Sequence, residues 1–304
     1  MNNKAKNIIA VGSIALDSIE TINGSKTNLV GGSATFFSIA ASLSTEVKIV
    51  GIVGDDFPKA GWDLFNSKNI NVNNILIEKG NTFRWGGKYS SDYSTRETLF
   101  TELGVFENFN PVINENDKTT PLVFLGNIQP LLQLSVANKM KASKYIVTDT
   151  MNLWIDLFPK ELKKVISISN ILLINHEEAE QYTGKNNIEE AADILLSSGP
   201  QVVVIKQGSD GAYLAYDHLR IFVPVFHINK VIDPTGAGDT FAGGFMGYLS
   251  QVDKPDFVEA VIRGSALASF CVEGFGVDCL SKANKASFKK RVNAIKKTMA
   301  KKVE

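Results

Sequence analysis

The chain has 304 residues, enough to bury a large core, and its 32 basic residues are matched by 32 acidic ones, so no global basic field speaks for a nucleic-acid partner. Cys271 and Cys279 are its two cysteines, which excludes a disulfide framework and a four-cysteine zinc site and points to a reducing compartment. The polar start Met1–Lys6 precedes an apolar stretch that meets Asp17 too soon for a membrane span, and His176, His218 and His227 lack metal-ligand spacing, so the chain reads as cytoplasmic with three ordinary histidines.

Asn7–Val11 predicts a short buried strand, the small-residue stretch Ser33–Leu43 a helix, and Val47–Val53 a second strand, which is βαβ order. The rhythm resumes with strands at Leu122–Leu125, Tyr145–Asp149 and Ile171–Asn175, separated by helices at Leu131–Lys141 and Pro159–Ser167 and followed by one at Glu177–Tyr182. A helix at Ile188–Ser197 then leads to the apolar strand Gln201–Lys206, the turn Gly208–Gly211, and a hairpin of Tyr213–Tyr216 with Arg220–Val223. Helices at Asp239–Ser250, Asp256–Cys271 and Lys285–Lys301 complete the chain, the last with a lysine-rich solvated face. Such alternation predicts a parallel sheet covered on both faces. Two stretches break it. Leu16–Val30 and Thr82–Phe109 alternate polar with apolar or aromatic residues and carry Asn23-Gly24 and Gly86-Gly87, so they are expected to form short antiparallel strands of a small sheet. The organisation expected is one α/β domain over 1–304 with a lid built from about 16–30 and 82–109.

The most informative run is Val231-Ile232-Asp233-Pro234-Thr235-Gly236-Ala237-Gly238-Asp239-Thr240-Phe241. Gly236, Ala237 and Gly238 leave backbone N–H groups open at the start of the helix from Asp239, where orphan donors and the positive end of the dipole favour an anion. Asp239 beside this nest suits a base that accepts a proton from a hydroxyl while the N–H groups stabilise a phosphoryl group in transfer. The phosphate-loop pattern G-x-x-x-x-G-K-[ST] is absent from the sequence.

The pattern D-x-T-G-A-G-D-x-F at Asp233–Phe241 resembles the C-terminal signature of the ribokinase-like (PfkB) carbohydrate kinases, and the resemblance runs from Val11-Gly12-Ser13 to about Val277. It implies a mostly parallel central sheet with helices on both faces and a small β-sheet lid, ATP as phosphoryl donor, and magnesium. Gly31-Gly32 before a small-residue helix looks like the N-terminal signature, where Asp17, Gly31, Gly32 and Thr35 would meet the acceptor. Asn175 and Glu178, in Asn175-His176-Glu177-Glu178, resemble the N-x-x-E element linked to outer-shell magnesium. Lys206, Gly208 and Gly211 look like the nucleotide loop, with Lys206 standing where several members carry threonine; it would meet phosphate or pair with an acid. Gly264–Ser269, ending at Glu273-Gly274-Phe275-Gly276, resembles the wall for the adenine. Asp233 would orient the catalytic loop or support a monovalent cation, potassium in some relatives.

One departure concerns the acceptor. Phe36 stands four residues beyond the second glycine, where many sugar-phosphorylating members have asparagine, and Thr35, Phe36 and Phe37 give an apolar cast to the expected pocket. The lid adds Phe83, Trp85 and Tyr89 beside Arg84 and Lys88; the aromatics suit a sugar ring or a base, and Arg84 or Lys88 would meet a phosphate on the substrate. The sequence thus predicts an ATP-dependent kinase for the primary hydroxyl of a sugar or sugar-like alcohol. A nucleoside kinase is the nearest alternative, and a non-catalytic sugar- or nucleotide-binding regulator the more distant one. The lid would cap its own site or pair with a second copy in a homodimer.

Overall fold

The computed structural model describes residues 6–301; most of the polar start Met1–Lys6 and the last three residues of the chain lie outside it. In chain order the elements are β1 (Ile8–Val11), β2 (Ala15–Thr21), β3 (Gly24–Gly31), α1 (Ser33–Ala41), β4 (Val47–Gly54), α2 (Lys59–Ser67), β5 (Asn71–Glu78), β6 (Phe83–Tyr89) and β7 (Arg96–Glu102). Next come β8 (Leu122–Leu125), α3 (Pro130–Lys139), β9 (Tyr145–Asp149), α4 (Asn152–Leu157), α5 (Pro159–Ile168), β10 (Ile171–Asn175), α6 (His176–Thr183), α7 (Ile188–Ser197) and β11 (Val202–Lys206). The chain closes with β12 (Ala212–Tyr216), β13 (Leu219–Val223), α8 (Ala237–Gln251), α9 (Phe257–Cys271), α10 (Asp278–Ser281) and α11 (Lys285–Lys301).

A nine-stranded sheet carries the order β13-β12-β11-β10-β9-β8-β1-β4-β5, parallel from β11 to β5 and antiparallel at the β11-β12-β13 end. Its strands read as continuous apolar runs because both faces are covered. Alternation divides them: Ile8 and Ala10 join the core that contains α1, α8 and α9, whereas Ile9 and Val11 join the opposite core with Val136 of α3 and Val165 of α5. A third cluster, around Leu172, Ile174 and Ile205, packs under α6 and α7.

The sequence-predicted strands and helices of the βαβ rhythm are all present, with ends that coincide or shift by at most two residues. Between residues 54 and 81 the structure adds α2 and β5, for which no element was expected. Asn74 interrupts the apolar pattern of β5, and it is buried because its amide donates to Asp117 Oδ2 at 2.7 Å. Asp117 also takes Lys48 Nζ at 2.7 Å, so a polar network replaces apolar packing there.

The smaller sheet has the order β3-β2-β6-β7. Its two hairpins are antiparallel as expected, but they join through a parallel β2–β6 pair. The second segment ends sooner than expected. Residues 104–108 form a 3-10 turn, and Val105 and Phe109 are buried against the large sheet because they complete its apolar face.

Helices α1, α8 and α9 approach one another through glycines of α8. A Cβ at Gly243 would stand 2.4 Å from the Phe37 carbonyl oxygen of α1, and one at Gly244 would stand 2.7 Å from the Arg263 carbonyl oxygen of α9. This contact fixes the start of α8 over the strand ends. Gly243→Ala, in spite of a gain of about 1 kcal/mol in helix propensity, should destabilise the protein by about 1–3 kcal/mol through overpacking. Denaturant unfolding checks this, and a neutral or stabilising effect would show that the helices can part without cost.

Candidate active site

In the large sheet the chain order reverses between β1 and β8, and ligands of open α/β sheets bind beyond the carboxyl ends of the strands at such a switch point. Ser13 follows β1 and Ser33 opens α1; their hydroxyls lie 3.3 Å apart and each accepts the other residue's N–H, at 3.0 and 3.1 Å. Asp17 stands on β2 beside this pair. A Cβ at Gly31 would fall 2.0 Å from Asp17 Oδ2, and Gly32 has a φ of 89° with the Ser13 carbonyl where a side chain would start. Glycine at 31 is what admits the carboxylate, and glycine at 32 is what admits the Ser13 backbone and the positive φ. Burial pushes Asp17 up to about 7, against the pull of the Gly32 amide and with a further push from Asp233.

Across the crevice Gly236 is left-handed, with φ 75° and ψ 4°, and caps α8 without any side-chain bond. The ring of Phe36 occupies the place its Cβ would need, at 2.3 Å. Phe36 is therefore a prop beneath the turn, and Phe37 stacks on Phe124 with ring centroids 4.0 Å apart in the core, so neither has the pocket-lining place expected of it. Of the three N–H groups expected to form the nest, that of Ala237 donates to the Pro234 carbonyl at 3.2 Å, closing the turn that makes Gly236 left-handed. The nest is thus centred on Gly236 and Gly238. Asp233 braces the same loop: its Oδ1 accepts the Thr235 N–H at 2.9 Å and its Oδ2 accepts the Gly276 N–H at 3.0 Å. Burial holds its carboxyl above the usual range.

Asp239, in the first turn of α8, has a carboxylate oxygen that is buried without a hydrogen-bond partner, as does the hydroxyl of Thr35. Burial pushes Asp239 up to about 8; Asp149 and Asp17 add to the push and Lys206 opposes it. Asp149 was missed from the sequence. It ends β9, accepts from Lys206 Nζ at 2.9 Å, and lies under the turn, since Lys206 Nζ is only 3.1 Å from where a Cβ of Gly238 would be. Lys206 therefore pairs with an acid. Burial by itself would lower it, but Asp149, Glu178 and Asp239 offset that and hold the ammonium above its ordinary range. An ionisable residue closing an apolar parallel strand was the signal available for Asp149.

Asn175 and Lys206 are register partners at the ends of β10 and β11. Asn175 caps α6 in a closed box: its Oδ1 accepts the Glu178 N–H at 2.8 Å, while Glu178 Oε2 accepts the Asn175 N–H at 3.0 Å and Oε1 the Asn175 amide at 2.7 Å. Burial pushes Glu178 up to about 7. With its oxygens already used, this acid fits a magnesium ion only through water, which is how that ion prefers to be held. Gly208 is left-handed with open space where a side chain would start, whereas the Val223 carbonyl would stand 2.4 Å from a Cβ at Gly211, so the hairpin packing itself demands that glycine.

The small sheet lies over the crevice. Asp17 and Trp85 are register partners in the β2–β6 pair, so they share a face, whereas Arg84 pairs with Leu16. Arg84 is held by Asp56 Oδ2 at 2.7 Å and Asn28 Oδ1 at 2.6 Å, Lys88 by Glu20 at 2.6 Å, and Phe83 packs on Phe106. These three, expected at the substrate, belong to the framework of the small sheet. Tyr89 reaches Thr235, hydroxyl to hydroxyl, at 3.1 Å. Opposite it on β7 is Arg96, unforeseen in the sequence, whose guanidinium sits 5.3 Å from the centre of the Trp85 ring and whose charge is felt at Glu178. Only the hairpin register reveals it.

A crevice of this kind, edged by a helix N-terminus, is where doubly wound α/β proteins bind phosphorylated ligands. The chain belongs to the pfkB family of carbohydrate kinases, whose model matches residues 6–283, and is an ATP-dependent phosphotransferase. It is 29% identical over 251 residues to a cytidine kinase of Thermococcus kodakarensis, covering 80% of this chain and 88% of that one. Its fold matches the nucleoside kinase of Methanocaldococcus jannaschii, a member of the ribokinase family, with a TM-score of 0.78 at 22% identity over 96% of this chain and 99% of that one. It also matches the Burkholderia thailandensis nucleoside kinase in complex with ADP and inosine, with a TM-score of 0.79 at 16% identity and 95% of both chains covered. Among the described residues no helix is long and apolar enough to cross a membrane.

The raised carboxylates carry a thermodynamic consequence. Between about pH 4 and 8 Asp239 is protonated in the fold and ionised in the unfolded chain, so its burial lowers stability as pH rises through that window. Asp239→Asn should therefore raise the melting temperature of the ligand-free protein at pH 8, by at least about 3 °C, and by less at pH 5. Equal shifts at the two pH values in thermal scans would sink the burial argument.

Proposed function

We propose that the protein transfers the γ-phosphoryl group of ATP to the primary hydroxyl of the ribose of a nucleoside. The observation that carries the acceptor class is the pairing of Asp17 with Trp85: a carboxylate for sugar hydroxyls and an aromatic face for a base stand side by side on adjacent strands. A free sugar would use the carboxylate and leave the indole with only the Arg96 guanidinium against it. The cytidine and nucleoside kinases among the relatives support the same choice.

In this reading Asp239 takes the proton of the attacking hydroxyl as the new O–P bond forms and the bond to the β-phosphate oxygen breaks, releasing ADP. The N–H groups of Gly236 and Gly238 face the charge on the transferring group. Asp17 and the Thr35 hydroxyl hold the acceptor, with Gly31 and Gly32 giving it access. Lys206, kept charged by Asp149, stands beneath the nest on the phosphate side, and Gly208 lets the nucleotide approach the main chain. Asp233, whose two oxygens already hold N–H groups, sets the shape of the loop. Asn175 and Glu178 would hold magnesium through water, and the ion, when bound, neutralises phosphate charge. The small sheet acts as a lid that excludes water.

ADP release with Mg·ATP across nucleosides, pentoses, hexoses and sugar acids tests the acceptor class; preference for a free sugar over every nucleoside would overturn it. Asp239→Asn should lower turnover by about 10²–10⁴-fold with the fold retained, and near-normal turnover would remove Asp239 from its role. A base held at about 8 must lose its proton to act. The acceptor kcat/KM should accordingly climb about tenfold per pH unit below that value and level above it. A profile already flat at pH 6 would show that Asp239 is ionised in the working enzyme.

A further inference from the structure

The loop that delivers Asp233 and the nest is gripped from two sides. Its N–H groups face α9: those of Ile232 and Asp233 donate to the Val272 carbonyl at 2.8 and 3.4 Å. Its carbonyls face the two hairpin tips of the small sheet. Thr21 Oγ1 donates to the Ile232 oxygen at 3.0 Å, Asn23 Nδ2 to the Val231 oxygen at 2.9 Å, and the Tyr93 hydroxyl is shared between those two carbonyls at 3.0 and 3.2 Å. Asn23 Nδ2 also meets the Tyr93 oxygen at 2.5 Å, tying the tips together.

Tyr93 makes this contact from a costly conformation. Its φ is 60°, a left-handed value that bulky side chains avoid and that persists where the surroundings over-determine it. Asp92 Oδ1 accepts from Ser90 Oγ, Ser94 N and Ser94 Oγ at 2.7 to 3.0 Å, and the Tyr93 N–H donates to the Ser90 carbonyl at 3.0 Å. The turn is thus built to hold one hydroxyl against two carbonyls of a loop that lies some 140 residues away in sequence.

We infer that Tyr93, with Asn23 and Thr21, latches the small sheet to the loop 231–235, so that the nest around Gly236 and Gly238 takes its working shape only while the sheet is seated. Tyr93 is a positioning residue; it acts through the loop. Without the latch the loop retains its α9 side and its Asp233 brace, but its carbonyl side is left to water and the N–H groups lose their fixed aim.

The inference rests on the kinase reading for its effect on turnover and has a readout that does not. Amide hydrogen exchange of the ligand-free protein, followed by peptide, should be faster across 231–240 in Tyr93→Phe than in the wild type, with Val202–Lys206 unchanged. Asn23→Ala serves as the second variant and should do the same. In turnover assays Tyr93→Phe should lose about tenfold in kcat while KM for ATP stays within about twofold, and more ATP should be hydrolysed per acceptor phosphorylated. Exchange across 231–240 unchanged in both folded variants overturns the latch, whatever the activity shows. A wild type that phosphorylates no acceptor, with exchange changed as expected, defeats the kinase reading and keeps the latch.

Discussion

Negative charge is gathered where water is scarce. Asp17, Asp149, Glu178, Asp233 and Asp239 come from four separate stretches of chain, the last two from one run, and converge at the carboxyl edge of the sheet, with Lys206 as their buried counter-ion. Such a cluster is unstable by itself, because burial and like-charge repulsion both disfavour ionisation, and three of its members are pushed to about 7 or 8. It persists because each acid is anchored by something rigid. Glu178 is closed into a capping box, Asp149 is ion-paired, Asp233 holds two loop amides, and Asp17 sits in a gap that only the glycine at 31 leaves open. Asp239 alone has an oxygen that is buried and unanswered. That imbalance is what a proton acceptor needs before its substrate arrives.

The rest of the architecture follows from keeping these groups in place. The glycine contacts of α8 with α1 and α9 bring the helix N-terminus over the strand ends, and the Phe36 ring fixes the turn that begins it. Removing the asparagine that many sugar kinases have at that place therefore does more than delete a hydrogen-bonding handle. It puts a hydrophobic prop under the turn, and on the proposed reading the recognition of the acceptor then falls to Asp17, Thr35 and the small sheet.

Much of the large sheet was legible because its strands are apolar runs between helices of clear period, and a pattern of this kind follows from burial on both faces. The loop 231–241 was legible because its glycines and acids are consecutive. What stayed hidden depended on register and on distant partners. Asn74 looks like a turn residue until Asp117 is placed beside it, and Arg84 looks free until Asp56 and Asn28 are. Lys206 was left between a phosphate and an acid because its partner lies 57 residues earlier in the chain. Arg96 and Tyr93 carry no motif and Asn23-Gly24 announces only a turn; their places follow from how two hairpins align through a parallel β2–β6 pair, which no local pattern encodes.

A small sheet that touches the loop 231–235 through four hydroxyl or amide side chains, Thr21, Asn23, Tyr89 and Tyr93, is mechanically different from a cover that merely shields it. A cover changes the water content of the crevice, whereas a sheet bonded to the Val231 and Ile232 carbonyls also changes the geometry of the N–H groups a few residues on. On the proposed reading the two effects agree in slowing transfer to the acceptor and oppose each other in transfer to water. An unseated sheet admits water and, at the same moment, slackens the donors that would stabilise a phosphoryl group passing to that water. Coupling the two would make the open form a poor kinase whose residual turnover leaks to water, and the strained backbone of Tyr93 is a small cost set against that waste.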